Sequence, residues 1–112
     1  MTLTLTGLKN CDTCKKAMKA LNAAGLAPVF VDIRNEADLS NLVPQWLEAV
    51  GEDLLINKRS TTWRNLTELE RQKDPVSLLQ LHPTLIKRPV IEMDETVYAG
   101  WSKDVQAALL GA

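Results

Sequence analysis

A strand, a helix and a second strand follow one another with very short links at the start of this sequence. That order narrows the possible folds more than anything after it. Leu3 and Leu5 alternate with Thr2, Thr4 and Thr6, which predicts a strand ending at Gly7. Over residues 12–24, Cys14, Ala17, Met18 and Leu21 recur at the i, i+3, i+4, i+7 spacing of one buried helical face, with Lys15, Lys16 and Lys19 facing outward. Gly25 suits the stop, because glycine accepts the left-handed backbone found there. Residues 29–33, Val-Phe-Val-Asp-Ile, predict a second strand whose apolar character implies burial on both faces. Strand, helix and strand with short links are the signature of a parallel βαβ unit.

The remainder builds on that unit. Leu39, Leu42, Val43, Trp46, Leu47 and Val50 form a second helical stripe closed by Gly51. Pro44 lies within it, so it must fall in the first turn, or the helix is kinked or starts later. After the apolar run Leu54, Leu55 and Ile56, residues 57–65 read as an ordered polar loop carrying Lys58, Arg59, Thr61, Thr62 and Arg64. Short helices are expected over residues 66–73 and 74–81, the second opened by Asp74 as N-cap with Pro75 behind it and ended by His82-Pro83. Residues 89–93 and 96–98 predict an antiparallel hairpin turning at Asp94-Glu95. Gly100 breaks it. Ser102 then caps a last helix with Val105, Ala108 and Leu109 inward. The expected fold is α/β: one domain spanning 1–112, a mixed four-stranded sheet, and a helical insertion over about 39–82 between the second and third strands.

Composition removes several function classes. With 46% hydrophobic residues in 112, the chain can bury a core without disulfide staples. A net charge of −1 gives no bulk electrostatic case for nucleic acid or an acidic membrane. No apolar run approaches the roughly 20 residues that cross a bilayer. The N-terminus lacks the basic and apolar regions of a signal peptide. The expectation is therefore a cytoplasmic protein, with no nucleic-acid or membrane partner and nothing that demands more than a monomer. In a reducing compartment, Cys11-Asp12-Thr13-Cys14 points to redox or metal chemistry rather than a structural staple.

The placement of that motif, after a strand and at the start of a helix, has a mechanical meaning. Cys11 falls at or beside the N-cap, where free backbone N–H groups and the helix dipole favour a thiolate. Lys15, one turn on, can add to that, so a lowered pKa is expected. Cys11 then serves as the attacking thiol. Cys14, at i+3 and within disulfide reach, is the resolving one. Its position on the apolar stripe fits a small core hydrophobe equally well. Structural zinc wants four ligands, and beyond these cysteines only His82 is available, so no metal is expected. Two basic features accompany the cysteines. A cis bond at Arg88-Pro89 would turn Arg88 toward Cys11, whereas a trans bond on an edge strand would leave Arg88 in solvent. Spacing leaves both open. Arg59 and Arg64 present planar forks suited to carboxylates or oxyanions, or else form an ordinary solvated rim.

The motifs 7–17 (Gly-Leu-Lys-Asn-Cys-Asp-Thr-Cys-Lys-Lys-Ala), 55–59 (Leu-Ile-Asn-Lys-Arg), 61–64 (Thr-Thr-Trp-Arg), 82–89 (His-Pro-Thr-Leu-Ile-Lys-Arg-Pro) and Gly100-Trp101 follow in an order that resembles the arsenate reductase (ArsC)/Spx family, and within it the YffB-like branch. The resemblance covers essentially the whole chain. It implies a thioredoxin-like fold with a helical insertion, Cys11 as the active-site cysteine, and Arg88-Pro89 as a cis-proline turn beside it. It also implies Arg59 and Arg88 as binders of an anionic group, with Asn10 and Lys15 in the same motif. A third arginine of the arsenate reductases falls near Gly100-Trp101, where this chain has none. For the YffB-like branch the implied activity is glutathione-linked thiol reduction. Glutathione would be a co-substrate rather than a bound cofactor, and a small anion or a protein thiol the partner. The Spx branch implies an alternative, a Cys11–Cys14 redox switch in a regulator that binds RNA polymerase, and the arsenate reductases imply another, an arsenate reductase proper.

Overall fold

The computed structural model describes residues 3–111. Thr2, part of the predicted alternation, lies outside them. In chain order the elements are β1 (Leu3–Gly7), α1 (Asp12–Ala23), β2 (Val29–Asp32), α2 (Leu39–Val50), α3 (Glu52–Leu55), α4 (Thr61–Asn65), α5 (Glu68–Arg71) and α6 (Pro75–Leu81). A 3-10 turn (Pro83–Leu85) then leads to β3 (Val90–Met93), β4 (Thr96–Ala99) and α7 (Lys103–Leu110). The strands form one mixed sheet in the order β2-β1-β3-β4, the thioredoxin-like arrangement. β1 runs parallel to β2 and antiparallel to β3, so Leu5 lies opposite both Phe30 and Ile91. The chain forms two compact units: one combines the residues up to 37 with those from 88 onward, and the other is Asp38–Lys87.

In the first unit the alternation of β1 and the stripe of α1 meet. Leu3, Leu5, Cys14, Ala17, Leu21, Ile91 and Leu109 form one buried cluster. Each fully buried leucine there contributes about 2 kcal/mol from apolar area alone. The end of α1 shows why Gly25 stands where it does. It takes φ +78°, and Gly25 N–H and Leu26 N–H donate to the carbonyls of Asn22 and Leu21, both at 3.0 Å. This is a Schellman closure, with Leu26 packed back on the cluster that holds Leu21.

Several sequence expectations are corrected. β2 is an edge strand and is not buried on both faces: Val29 is 54% exposed and Phe30 is half-buried. Its apolar composition reflects one covered face and an apolar edge, and strand order is not written in a local window. Conversely Thr6 is buried, because β1 has a strand on either side. Pro44 sits in the middle of α2, which runs through it. Both Pro44 and Ser40, whose carbonyl loses its donor, are exposed, so water can replace the missing bond. In α7, Leu109 is buried and Val105 half-buried, but Ala108 is exposed.

The second unit is helical. The expected polar loop contains α4, started by Ser60, whose hydroxyl accepts from Trp63 N–H (3.1 Å) and donates to the Asn57 carbonyl (2.7 Å). Lys58 Nζ lies 5.6 Å from the centroid of the Trp63 ring and the Arg71 guanidinium 5.0 Å, and Arg71 also donates to the Trp63 carbonyl. Part of the positive charge of this segment is thus engaged with an indole. Thr67 and Glu70 form a reciprocal capping box on α5, and Asp74 caps α6.

Candidate functional site

Gly7 ends β1, and the chain turns through Leu8 to Asn10 before α1 begins. Cys11 N–H donates to the Leu8 carbonyl (3.2 Å), and the Cys11 carbonyl accepts from Lys15 N–H (3.0 Å). The second bond is the first turn of α1, with Cys11 at the N-cap in an extended conformation. Its side chain closes no conventional capping hydrogen bond. The sulfur is a poor acceptor as a thiol, but the Cys14 N–H becomes a stabilising dipole once it ionises.

The two sulfurs are driven in opposite directions. Partial burial works against ionisation of Cys11. It is outweighed by the Cys14 backbone N–H, the Cys14 thiol and the Arg88 guanidinium, which together hold the Cys11 pKa below the usual 9.0. Cys14 is pushed up to about 11, first by burial and then by the neighbouring Cys11, although the Leu8 backbone and Arg88 pull the other way. Both thiols are free, Cys11 half-buried and Cys14 only 1% exposed. The pair is therefore unequal: Cys11 is the more acidic thiol, and Cys14 stays protonated at neutral pH.

Arg88 reaches this site because β3 lies beside β1 in the sheet. The Arg88-Pro89 bond is cis, Arg88 is half-buried and Pro89 buried, and the Pro89 carbonyl accepts from Gly100 N–H at 2.8 Å. β3 starts only after the proline, so the central strand loses no ladder donor to it. Of the expected basic partners, Arg88 is the one whose charge acts on the Cys11 sulfur. Lys15 and Asn10 are exposed, Asn10 in the turn before the helix. Arg59 belongs to the helical unit, where it is exposed with its N–H on Asn57 Oδ1 (3.1 Å).

Gly7 is a site residue that the sequence reading took only as a strand end. A Cβ built on it would stand 2.5 Å from Cys14 Sγ. The strand end and the first turn of α1 touch through that missing side chain. Glycine within a strand pattern is a recognised sign of such close approach.

The arrangement presents a helix-terminal thiol of lowered pKa, a guanidinium whose charge favours its ionised form, and a second, less acidic thiol one turn on. It can attack a disulfide or an electrophilic oxyanion and stabilise negative charge at the reacting sulfur. Known proteins resemble this chain along nearly its whole length. The model of the ArsC family matches residues 7–109. An uncharacterised protein of Haemophilus influenzae is 41% identical over 111 residues, covering 95% of this chain and 97% of its own. Among solved structures, a YffB protein superposes with a TM-score of 0.87 at 32% identity, covering 97% of this chain and 99% of its own. An arsenate reductase (ArsC)-related protein from Brucella melitensis gives 0.75 at 33% identity, covering 96% and 93%. A family model that matches nearly the whole chain, and a relative as similar as the Haemophilus protein, place it in the ArsC family.

Proposed function

We propose that this protein is a thiol-dependent oxidoreductase, a glutathione-linked reductase of the cytoplasm. The observation that carries the reading is the opposed acidity of Cys11 and Cys14, with Arg88 acting on the more acidic sulfur. Membership of the ArsC family supports thiol-based reduction in general.

In this reading the Cys11 thiolate attacks one sulfur of a disulfide substrate. The S–S bond breaks, a mixed disulfide forms on Cys11, and the displaced sulfur leaves as a thiolate that takes up a proton. A second thiol then attacks the sulfur held on Cys11: a new disulfide forms between those two sulfurs, the bond to Cys11 breaks, and Cys11 leaves as a thiolate ready for another turnover. Glutathione fits the second role because its carboxylates suit arginine forks. Arg88 would hold the anionic group, with Asn10 and Lys15 at its margin and Pro89 shaping the turn. Cys14 can resolve the adduct from within. Its high pKa makes it a slow attacker at neutral pH, which favours the external thiol.

The test is reduction of a glutathione mixed disulfide by wild type, Cys11→Ser and Cys14→Ser. Cys11→Ser should abolish turnover. Cys14→Ser should retain most of it. Full activity in Cys11→Ser would remove the proposal.

A further inference from the structure

Beside the cysteine turn is a cavity of about 260 Å³ lined by Leu8, Lys9, Cys14, Lys15, Met18 and Phe30. Its wall is almost entirely apolar, and the two lysines contribute to it mainly through their stems. Leu8, Met18, Phe30 and the protonated Cys14 thiol offer an apolar, polarisable surface, and methionine in particular adapts to irregular guests. Lys9 and Lys15 are exposed, with apolar stems and charged ends. In a chain of net charge −1, two lysines on one apolar cavity make a local excess of positive charge. Part of it is answered. The Asp32 carboxyl is held below its usual range mainly by the N–H groups of Arg34 and Asn35, and the Lys9 ammonium adds to that. Lys15 is the other cation of the lining.

We infer that this cavity binds a small organic acid, with an apolar body against Leu8, Met18 and Phe30 and a carboxylate toward Lys15 and Lys9. The volume of about 260 Å³ accommodates a small aryl- or alkyl-carboxylic acid. Charge complementarity selects the carboxylate over the alcohol or amine of the same shape. The cavity adjoins the proposed glutathione site and shares Lys15 and Cys14 with its surroundings, but its lining includes neither Cys11 nor Arg88.

The experiment is an NMR titration of isotope-labelled protein with phenylpropionate, phenylpropanol and phenylpropylamine. Phenylpropionate should bind saturably, with a Kd of about 1 mM for a ligand of this size, shifting Leu8, Lys15, Phe30 and the Met18 methyl. The alcohol should bind more weakly and the amine least. Lys15→Glu should weaken phenylpropionate about three- to tenfold. Lys16→Glu makes the same charge change on the neighbouring exposed position outside the cavity, and should weaken it less. Absence of saturable shifts, an amine that binds as tightly as the acid, or equal losses in the two lysine variants would overturn the inference. Because binding is read without turnover, failure here leaves the reductase proposal standing.

Discussion

Cys11 and Cys14 are separated by two residues and by a large difference in acidity, and each difference has a named cause. Desolvation alone would make both thiols less acidic. Cys11 escapes because the N–H of Cys14 and the charge of Arg88 converge on it, whereas Cys14 is packed against Gly7 and the apolar cluster. In iodoacetamide kinetics Cys11 should therefore alkylate with a midpoint below 9.0, and the buried Cys14 only as the pH approaches 11. Removing the guanidinium in Arg88→Met takes away a positive charge that favours the thiolate. The Cys11 midpoint should move up and alkylation at neutral pH slow several-fold. An unchanged midpoint would show that the helix terminus acts alone. The Gly7 contact gives a second residue-scale prediction. Gly7→Ala places a methyl 2.5 Å from Cys14 Sγ, so it should cost about 1–3 kcal/mol in urea unfolding. In a Cys14→Ala background the sulfur is gone and the same substitution should cost less. Additivity of the two would refute the contact.

At the scale of elements, local signals were read well where one residue type decides the backbone. The α1 stripe, the Gly25 closure, and the Asp74 and Ser102 caps were all visible in the sequence. What failed depended on neighbours. β2 and β1 differ in burial because of their places in the sheet, and no window of four or five residues encodes that. α4 was taken for loop because Thr-Thr-Trp-Arg-Asn is too short to show a helical period; Ser60 was the available signal. Ser60→Ala removes the acceptor for Trp63 N–H and the donor to Asn57, and should destabilise the protein by about 1 kcal/mol in chemical denaturation. The link between α1 and β2 offers the opposite case. Ala27 adopts φ +46°, where a Cβ is unfavourable, so Ala27→Gly should raise stability by about 0.5 kcal/mol despite glycine's greater unfolded-state entropy.

For the whole molecule, the cysteines were legible because they share one motif. Spacing alone left Arg88 open, because its approach to Cys11 depends on β3 lying next to β1; only the family resemblance placed it beside the cysteine, with the cis bond that the structure has. The cavity was invisible for a similar reason: its lining comes from the turn, α1 and β2, which only the βαβ unit assembles. Stability links these sites to the fold. The raised pKa of Cys14 means that its contribution is fully present below the unfolded value near 9 and is lost as pH rises toward 11. Over that interval wild type should lose on the order of 2 kcal/mol more than Cys14→Ala, measured by urea unfolding at several pH values. A parallel pH dependence in the two proteins would rule out the buried, protonated thiol. No helix among the described residues is long and apolar enough to cross a membrane.

The cap position of Cys11 has one more consequence. Most helices open with an oxygen that receives a backbone N–H, and α1 opens with a sulfur that receives none in the conventional sense. The helix starts without a capping oxygen, and its dipole is left to favour the ionised form of the Cys11 thiol. Cys11→Ser supplies the missing oxygen. It should unfold at a higher urea concentration than wild type, by an increment of about 0.5–1 kcal/mol, while losing its chemistry. An inactive variant sturdier than its parent would mark this position as a site of traded stability.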